Sequence, residues 1–86
     1  MKNKILNGKN ILIIGSGFGQ LPAIFKAKEM GANVYSVDKN PKAPGAQICD
    51  VFFNISVYDS EKVLQIVKKY NIDFALQCKA ITELKP

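Results

Sequence analysis

The sequence predicts an α/β fold, an open parallel sheet of about four strands joined by crossover helices. Three observations carry that expectation. A strand-like run, Asn10 to Ile14, apolar in all but its first residue, enters a glycine-rich turn that opens a helix. Strand-like and amphipathic stretches then follow in the order strand, helix, strand, loop, strand, helix, strand, the alternation of a parallel sheet with right-handed crossovers. Finally, 86 residues support one small core and no second domain, because a chain of this size buries only about 60–65% of its unfolded surface. Residues 1–86 therefore read as a single domain.

The first strand, Asn10 to Ile14, is a continuous apolar run after its opening asparagine, which fits a strand buried on both faces. A helix follows from Gly19 or Gln20. Leu21, Ile24, Phe25, Ala27 and Met30 recur at helical spacing, Pro22 sits in the first turn where its missing N–H costs nothing, and Gly31 supplies a left-handed end. Asn33 to Val37 is a second strand that ends at Asp38. Lys39 to Gly45 holds two prolines and a glycine and is a loop, with a short helical turn expected over Ala46 to Asp50. Val51 to Ile55 is the third strand. Asp59 or Ser60 caps a second helix whose inner face is predicted as Val63, Leu64, Val67 and Tyr70, with Glu61 early and Lys68 and Lys69 late, as the helix dipole favours. Asn71 can close it in the left-handed region, and Ile72 to Cys78 is the fourth strand. Lys79 to Pro86 stop where a doubly wound sheet continues into another helix, so the chain reads as truncated at its C-terminus. Four strands with two helices leave apolar surface around Phe74 and Leu76 for a partner surface to bury.

Composition removes several functions. Hydrophobic residues make up 48% of the chain and charged ones 22%, which is ordinary for a soluble protein, and no apolar run nears the roughly 18 residues that span a bilayer. The N-terminus lacks an apolar segment of signal-peptide length, so a cytoplasmic location is expected. All twelve basic residues are lysine. A net charge of +5 without one arginine lacks the bidentate fork that grips phosphate and reads guanine, and nucleic acid is not expected as a partner. There is no histidine, and Cys49 and Cys78 have no partner at zinc-site spacing, so no catalytic residue and no metal ligand is assigned. Both cysteines read as unpaired structural thiols.

Several segments together resemble a known family. The run Ile11-Leu-Ile-Ile-Gly-Ser-Gly-Phe-Gly-Gln-Leu-Pro22, then Lys26-Ala-Lys-Glu-Met-Gly-Ala32, Val37-Asp-Lys-Asn-Pro-Lys-Ala-Pro-Gly45 with Cys49-Asp50, and Tyr58-Asp-Ser-Glu-Lys-Val63 with Lys68-Lys-Tyr-Asn-Ile-Asp73 are similar to the N-terminal, Rossmann-like domain of ATP-grasp ligases. That family includes biotin carboxylase, the large subunit of carbamoyl-phosphate synthase and glycinamide ribonucleotide synthetase. The resemblance covers about Asn10 to Cys78. It implies a ligase that forms an acyl-phosphate and passes it to a nucleophile. It also implies that ATP and Mg2+ are held by lobes outside this segment, which on its own is expected to be inactive.

The candidate substrate-binding residues cluster at the strand ends, where open α/β sheets bind ligands. Gly15 either ends the strand for close helix packing or lets a ligand approach. Gly17, Phe18 and Gly19 form the crest of the turn, where exposed amides suit a carboxylate or phosphate oxygen. Phe18 is a surface for a ligand to stack on or a plug against a neighbouring lobe. Gln20 satisfies an orphan amide or bonds a substrate, and in the resembled family this position lies near the substrate cleft. The dinucleotide fingerprint wants a glycine there, so that motif is broken. Asp38 stands where a dinucleotide fold places its ribose-binding acid, or else caps the next turn through the amides of Lys39 or Asn40. Lys39 and Lys42 flank the crevice, or are simply solvated. Asp50, Asp59 and Asp73 read as turn or capping residues.

The expected partners are therefore the remaining ATP-grasp lobes or a second copy of the chain, and a small-molecule acceptor. A regulatory module binding NAD or an adenine nucleotide is the alternative, and a ligand-free remnant that dimerises through its sheet is a third.

Overall fold

A computed structural model describes residues 4–77. Its elements are β1 (Asn10–Ile14), α1 (Leu21–Glu29), β2 (Asn33–Val37), β3 (Val51–Phe53), α2 (Ser60–Lys69) and β4 (Phe74–Gln77). The four strands are parallel and lie in the order β3-β2-β1-β4. The predicted α/β class, strand number and connectivity all hold. Tight helical turns at Phe18–Gln20 and Pro44–Gln47 complete the chain path, the second lying two residues before the predicted Ala46. The third and fourth strands are shorter than predicted, and Cys78 lies outside the described residues.

The central pair β1 and β2 runs in register from Asn10 opposite Asn33 to Ile14 opposite Val37, and its side chains alternate between two cores. On one face Ile11, Ile13 and Val34 pack with Ile24, Ala27 and Ala32. On the other, Leu12 and Val37 pack with Ile66, flanked by Tyr35, Phe53 and Tyr70. Burying each large aliphatic side chain stabilises the fold by about 1.5–3 kcal/mol.

Helix ends follow the sequence signals. Gly31 has φ +93° and turns the chain out of α1, while the Ala32 amide donates to Ala27 O at 3.0 Å. Asp59 caps α2 by accepting from the Lys62 amide at 3.2 Å, and Asn71 closes it with φ +53°. One inner-face residue differs. Leu64 is 51% exposed, and Ile66, at 5%, takes its place. The buried stripe is Val63, Ile66, Val67 and Tyr70, at the spacing i, i+3, i+4, i+7. Leu64 falls about 100° round the helix from Val63 and faces water.

At the other end of β1, Asn10 fastens the fourth strand. Its amide donates to Asp73 Oδ2 at 2.8 Å, the Asp73 amide donates to Asn10 O at 2.7 Å, and Asn10 Nδ2 donates to Tyr70 O at 3.1 Å. All of β4 is exposed, and by register Phe74 and Leu76 share the face of Ile11 and Ile13 beside α1. They are 49% and 45% exposed, which is the open apolar surface expected from the sequence.

Asp50 joins α1 to β2. Its Oδ2 accepts from the Val34 amide at 2.8 Å and its Oδ1 from Lys28 Nζ at 2.9 Å. Partial burial pushes the carboxyl pKa up, but the Lys28 ammonium and the Val34 amide outweigh it and the net shift is downward. A carboxylate with a depressed folded pKa stabilises the fold above its unfolded pKa, about 3.9, and loses that contribution as pH falls through the folded value. Asp50→Asn is therefore expected to cost no more than about 1 kcal/mol at neutral pH, the pair being partly solvated, with the difference from wild type closing as pH falls through the depressed folded value. Urea melts at several pH values check this. A cost independent of pH would mean that the amide bond alone matters.

Candidate functional site

The glycine turn sits at the carboxyl ends of β1 and β2. Gly15 has φ +103°, a region open to glycine and costly for other residues, and its amide donates to Val37 O at 2.9 Å. A Cβ there would lie 3.2 Å from Gln20 Cδ. The Gln20 side chain folds back under the turn, and its Oε1 accepts from the Gly17 amide at 2.9 Å. Of the two readings of Gln20, the satisfied orphan amide is the one observed. The Gln20 amide in turn donates to Gly17 O at 3.0 Å. Phe18 stands at the crest, 79% exposed, and Gly19 beside it opens onto free space.

Asp38 ties this turn to the following loop. Its Oδ2 accepts from the Ser16 amide at 2.9 Å and its Oδ1 from the Asn40 amide at 2.9 Å. The predicted turn-capping role is thus present, and it is combined with a bond to the glycine turn that spacing alone did not reveal. Lys39 follows on the exposed surface, and Lys42 is exposed nearby. Asn54 Nδ2 donates to the carbonyls of both Asp38 and Lys39 at 2.9 Å, so the first part of the loop is also held from β3.

The candidate residues Gly15, Gly17, Phe18, Gly19, Gln20, Asp38 and Lys39 therefore lie on one connected rim. Their amides are not equally available. Those of Ser16, Gly17 and Gln20 are bonded internally. Phe18 and Gly19 open the helical turn Phe18–Gln20, where first-turn amides have no intrahelical acceptor. The expectation that the whole span Gly17 to Gln20 offers amides to an anion is narrowed to these two.

Four residues of the site went unread in the sequence. Ser16 and Ser36 are fully buried and their hydroxyls bond each other, with Ser36 Oγ also 2.9 Å from Ile13 O and from Gly15 O. A serine inside an apolar strand was the available signal, since a buried hydroxyl needs a partner. Gly45 was read as loop chemistry, yet its amide donates to Ser16 O at 2.7 Å and a Cβ on it would lie 2.7 Å from Ile24 Cδ1. Asn54, the fourth, gave no signal beyond its place after a strand. Cys49 is half-buried near the loop's end. Burial pushes its thiol pKa up, only partly offset by nearby backbone bonds, so it remains a protonated thiol at neutral pH. Among the described residues, no three His, Cys, Asp or Glu side chains cluster as a metal site would require, and no helix is long and apolar enough to cross a membrane.

The sequence model of one family, described as PylC-like, N-terminal domain, matches residues 11–83. The formate-dependent phosphoribosylglycinamide formyltransferase of Prochlorococcus marinus (strain MIT 9301) is 31% identical over 99% of this chain and 23% of its own length. Among solved structures, N5-carboxyaminoimidazole ribonucleotide synthetase from Thermotoga maritima superposes with a TM-score of 0.72 and 32% identity, covering 80% of this chain and 19% of that one. The Staphylococcus aureus N5-carboxyaminoimidazole synthetase, complexed with ADP, gives a TM-score of 0.71 and 28% identity over 87% of this chain and 20% of that one. The chain thus spans less than a quarter of the length of these relatives.

Proposed function

From the premise that the chain belongs to the PylC-like N-terminal domain family, as the first domain of the ATP-grasp kind, we propose that it forms one wall of an acceptor-substrate cleft in a longer ligase. In that protein an acyl-phosphate is made with ATP and passed to a small acceptor. This segment binds and orients the acceptor and supplies no catalytic group. The observation that carries the reading is the rim itself, with Phe18 exposed at the crest of a glycine turn at the strand carboxyl ends, its own amide and that of Gly19 open to an anionic group.

ATP and Mg2+ do not fit the residues of this segment. Asp38, Asp50, Asp59 and Asp73 each accept a backbone amide, and the chain holds neither arginine nor histidine to clamp phosphates. The nucleotide and its metal ion are assigned to the rest of the longer protein, whose remaining lobes are the proposed partner. The 86-residue chain is accordingly expected to release no phosphate from ATP above background. The relatives are named for phosphorylated riboses, phosphoribosylglycinamide in one and a ribonucleotide in another, which supports a small anionic acceptor here. A dinucleotide is disfavoured, since the acid that would take its ribose hydroxyls is already bonded to Ser16 and Asn40.

Titration of sulfate, NAD and ATP against the backbone amide NMR signals of residues 15–20 tests this. Sulfate is expected to move Phe18 and Gly19 most, with NAD and ATP leaving the turn unsaturated. Saturation by NAD at micromolar concentration, abolished by Asp38→Ala, would make the dinucleotide module the better reading.

A further inference from the structure

We infer that the groove between α2 and the β3 edge of the sheet is a second ligand site, one that takes a flat aromatic anion and is separate from the glycine turn. The groove is open on one side and offers about 350 Å3, within the range of small-molecule sites and large enough for two linked rings. Its floor is apolar and aromatic, built from Phe53, Ile55, Ile66 and Tyr70. The rings are held in place: Phe53 and Tyr70 have centroids 5.2 Å apart at 53°, and each also packs on Tyr35, at 6.4 and 5.7 Å. A ring entering the groove meets an immobilised aromatic surface and loses little to reorganisation.

The rim supplies the charge. Lys62 and Lys69 are seven residues apart on one face of α2, about 10 Å along its axis, and both line the groove. Lys69 Nζ lies 5.7 Å from the Tyr70 ring centroid, over the aromatic floor. Lys62 has a loose counter-ion, with Asp59 Oδ2 at 3.9 Å, and Asp59 is already committed to capping α2. Among the described residues no carboxylate lines the groove, so it presents two cations above a pair of tilted rings. A neutral apolar molecule would fill the floor and leave the lysines unused. A second copy of this chain, with net charge +5, would set like charges against each other.

Anilinonaphthalene sulfonate, an aromatic anion, and N-phenylnaphthylamine, the same rings without the charge, are the probes, followed by amide NMR on the 86-residue chain. The sulfonate is expected to saturate with shifts at Phe53, Ile55, Ile66 and Lys69. The neutral probe, and the sulfonate against Lys62→Gln/Lys69→Gln, are each expected to bind about fivefold more weakly, as two exposed ion contacts allow. The inference is overturned if the neutral probe binds equally well, if the double variant binds the sulfonate unchanged, or if the shifts fall on Phe74 and Leu76, which would assign binding to the open sheet face. The comparison of the two probes uses the wild-type chain and does not depend on how the variant folds.

Discussion

Leu12→Ala is expected to lower stability by about 2–5 kcal/mol, the range for removing a fully buried large aliphatic side chain. A domain of 86 residues has roughly 4–13 kcal/mol in total, so the variant stands near the edge of unfolding at 25 °C. Leu12 has no exposed surface and lies on the middle strand, opposite Tyr35 on one side and Ala75 on the other. It is also where α2 rests on the sheet, in one cluster with Val37 and Ile66. Two strands and a helix close around the site, so it has little freedom to collapse into the space left behind. Urea unfolding should show a lower midpoint at unchanged slope. Leu64→Ala, on the exposed side of the same helix, is expected to stay within about 0.5 kcal/mol. Similar losses at both positions would contradict the helix orientation described above.

Gly45→Ala is expected to cost about 1–3 kcal/mol by overpacking, and to move the glycine turn with it. The new methyl would meet Ile24 Cδ1 at 2.7 Å and Ser16 O at 2.9 Å. The isoleucine tip can rotate away. The carbonyl cannot, because Ser16 is fixed through its amide to Asp38 and through its hydroxyl to Ser36. The loop must therefore lift, which also weakens the bond from the Gly45 amide to Ser16 O. A lowered Tm together with amide shifts at Ser16 and Gly17 is the expected signature. Gly19→Ala points into open space and is the control that leaves these shifts in place. An unchanged turn in Gly45→Ala would mean that the loop and the turn are independent.

The elements whose signals are local were legible in the sequence. Ile11 to Ile14 are apolar at every position of β1 after Asn10, Gly31 and Asn71 both take the left-handed conformation their residue types favour, and Asp59 caps the helix it precedes. One miss was local: Leu64 and Ile66 are equally apolar, but Ile66 completes the spacing i, i+3, i+4, i+7 with Val63, Val67 and Tyr70, which Leu64 breaks. The other misses depend on contacts distant in sequence. The candidates Gly15, Gly17, Phe18, Gly19, Gln20, Asp38 and Lys39 could be grouped on one rim because strand ends and glycine turns lie together in such folds. Their internal bonding was not, since the Asp38 bond to Ser16 spans 22 residues and the Ser16–Ser36 pair 20. No periodicity encodes a meeting of that kind.

The fastening of Asn10 to Asp73 bears on the order in which the molecule assembles. That bond closes 63 residues of chain, whereas the bond from Asn33 to the same Asn10 closes 23. Loop-closure entropy grows as (3/2)RT ln n, so joining β4 costs about 0.9 kcal/mol more than joining β2. The unit β1–α1–β2 is then the natural nucleus, and β4 the late arrival. The strand that keeps Phe74 and Leu76 in water in the finished fold is thus also the last to be zipped on. Every partly assembled form carries the same adhesive strip, and the window for unwanted association opens during folding rather than only after it.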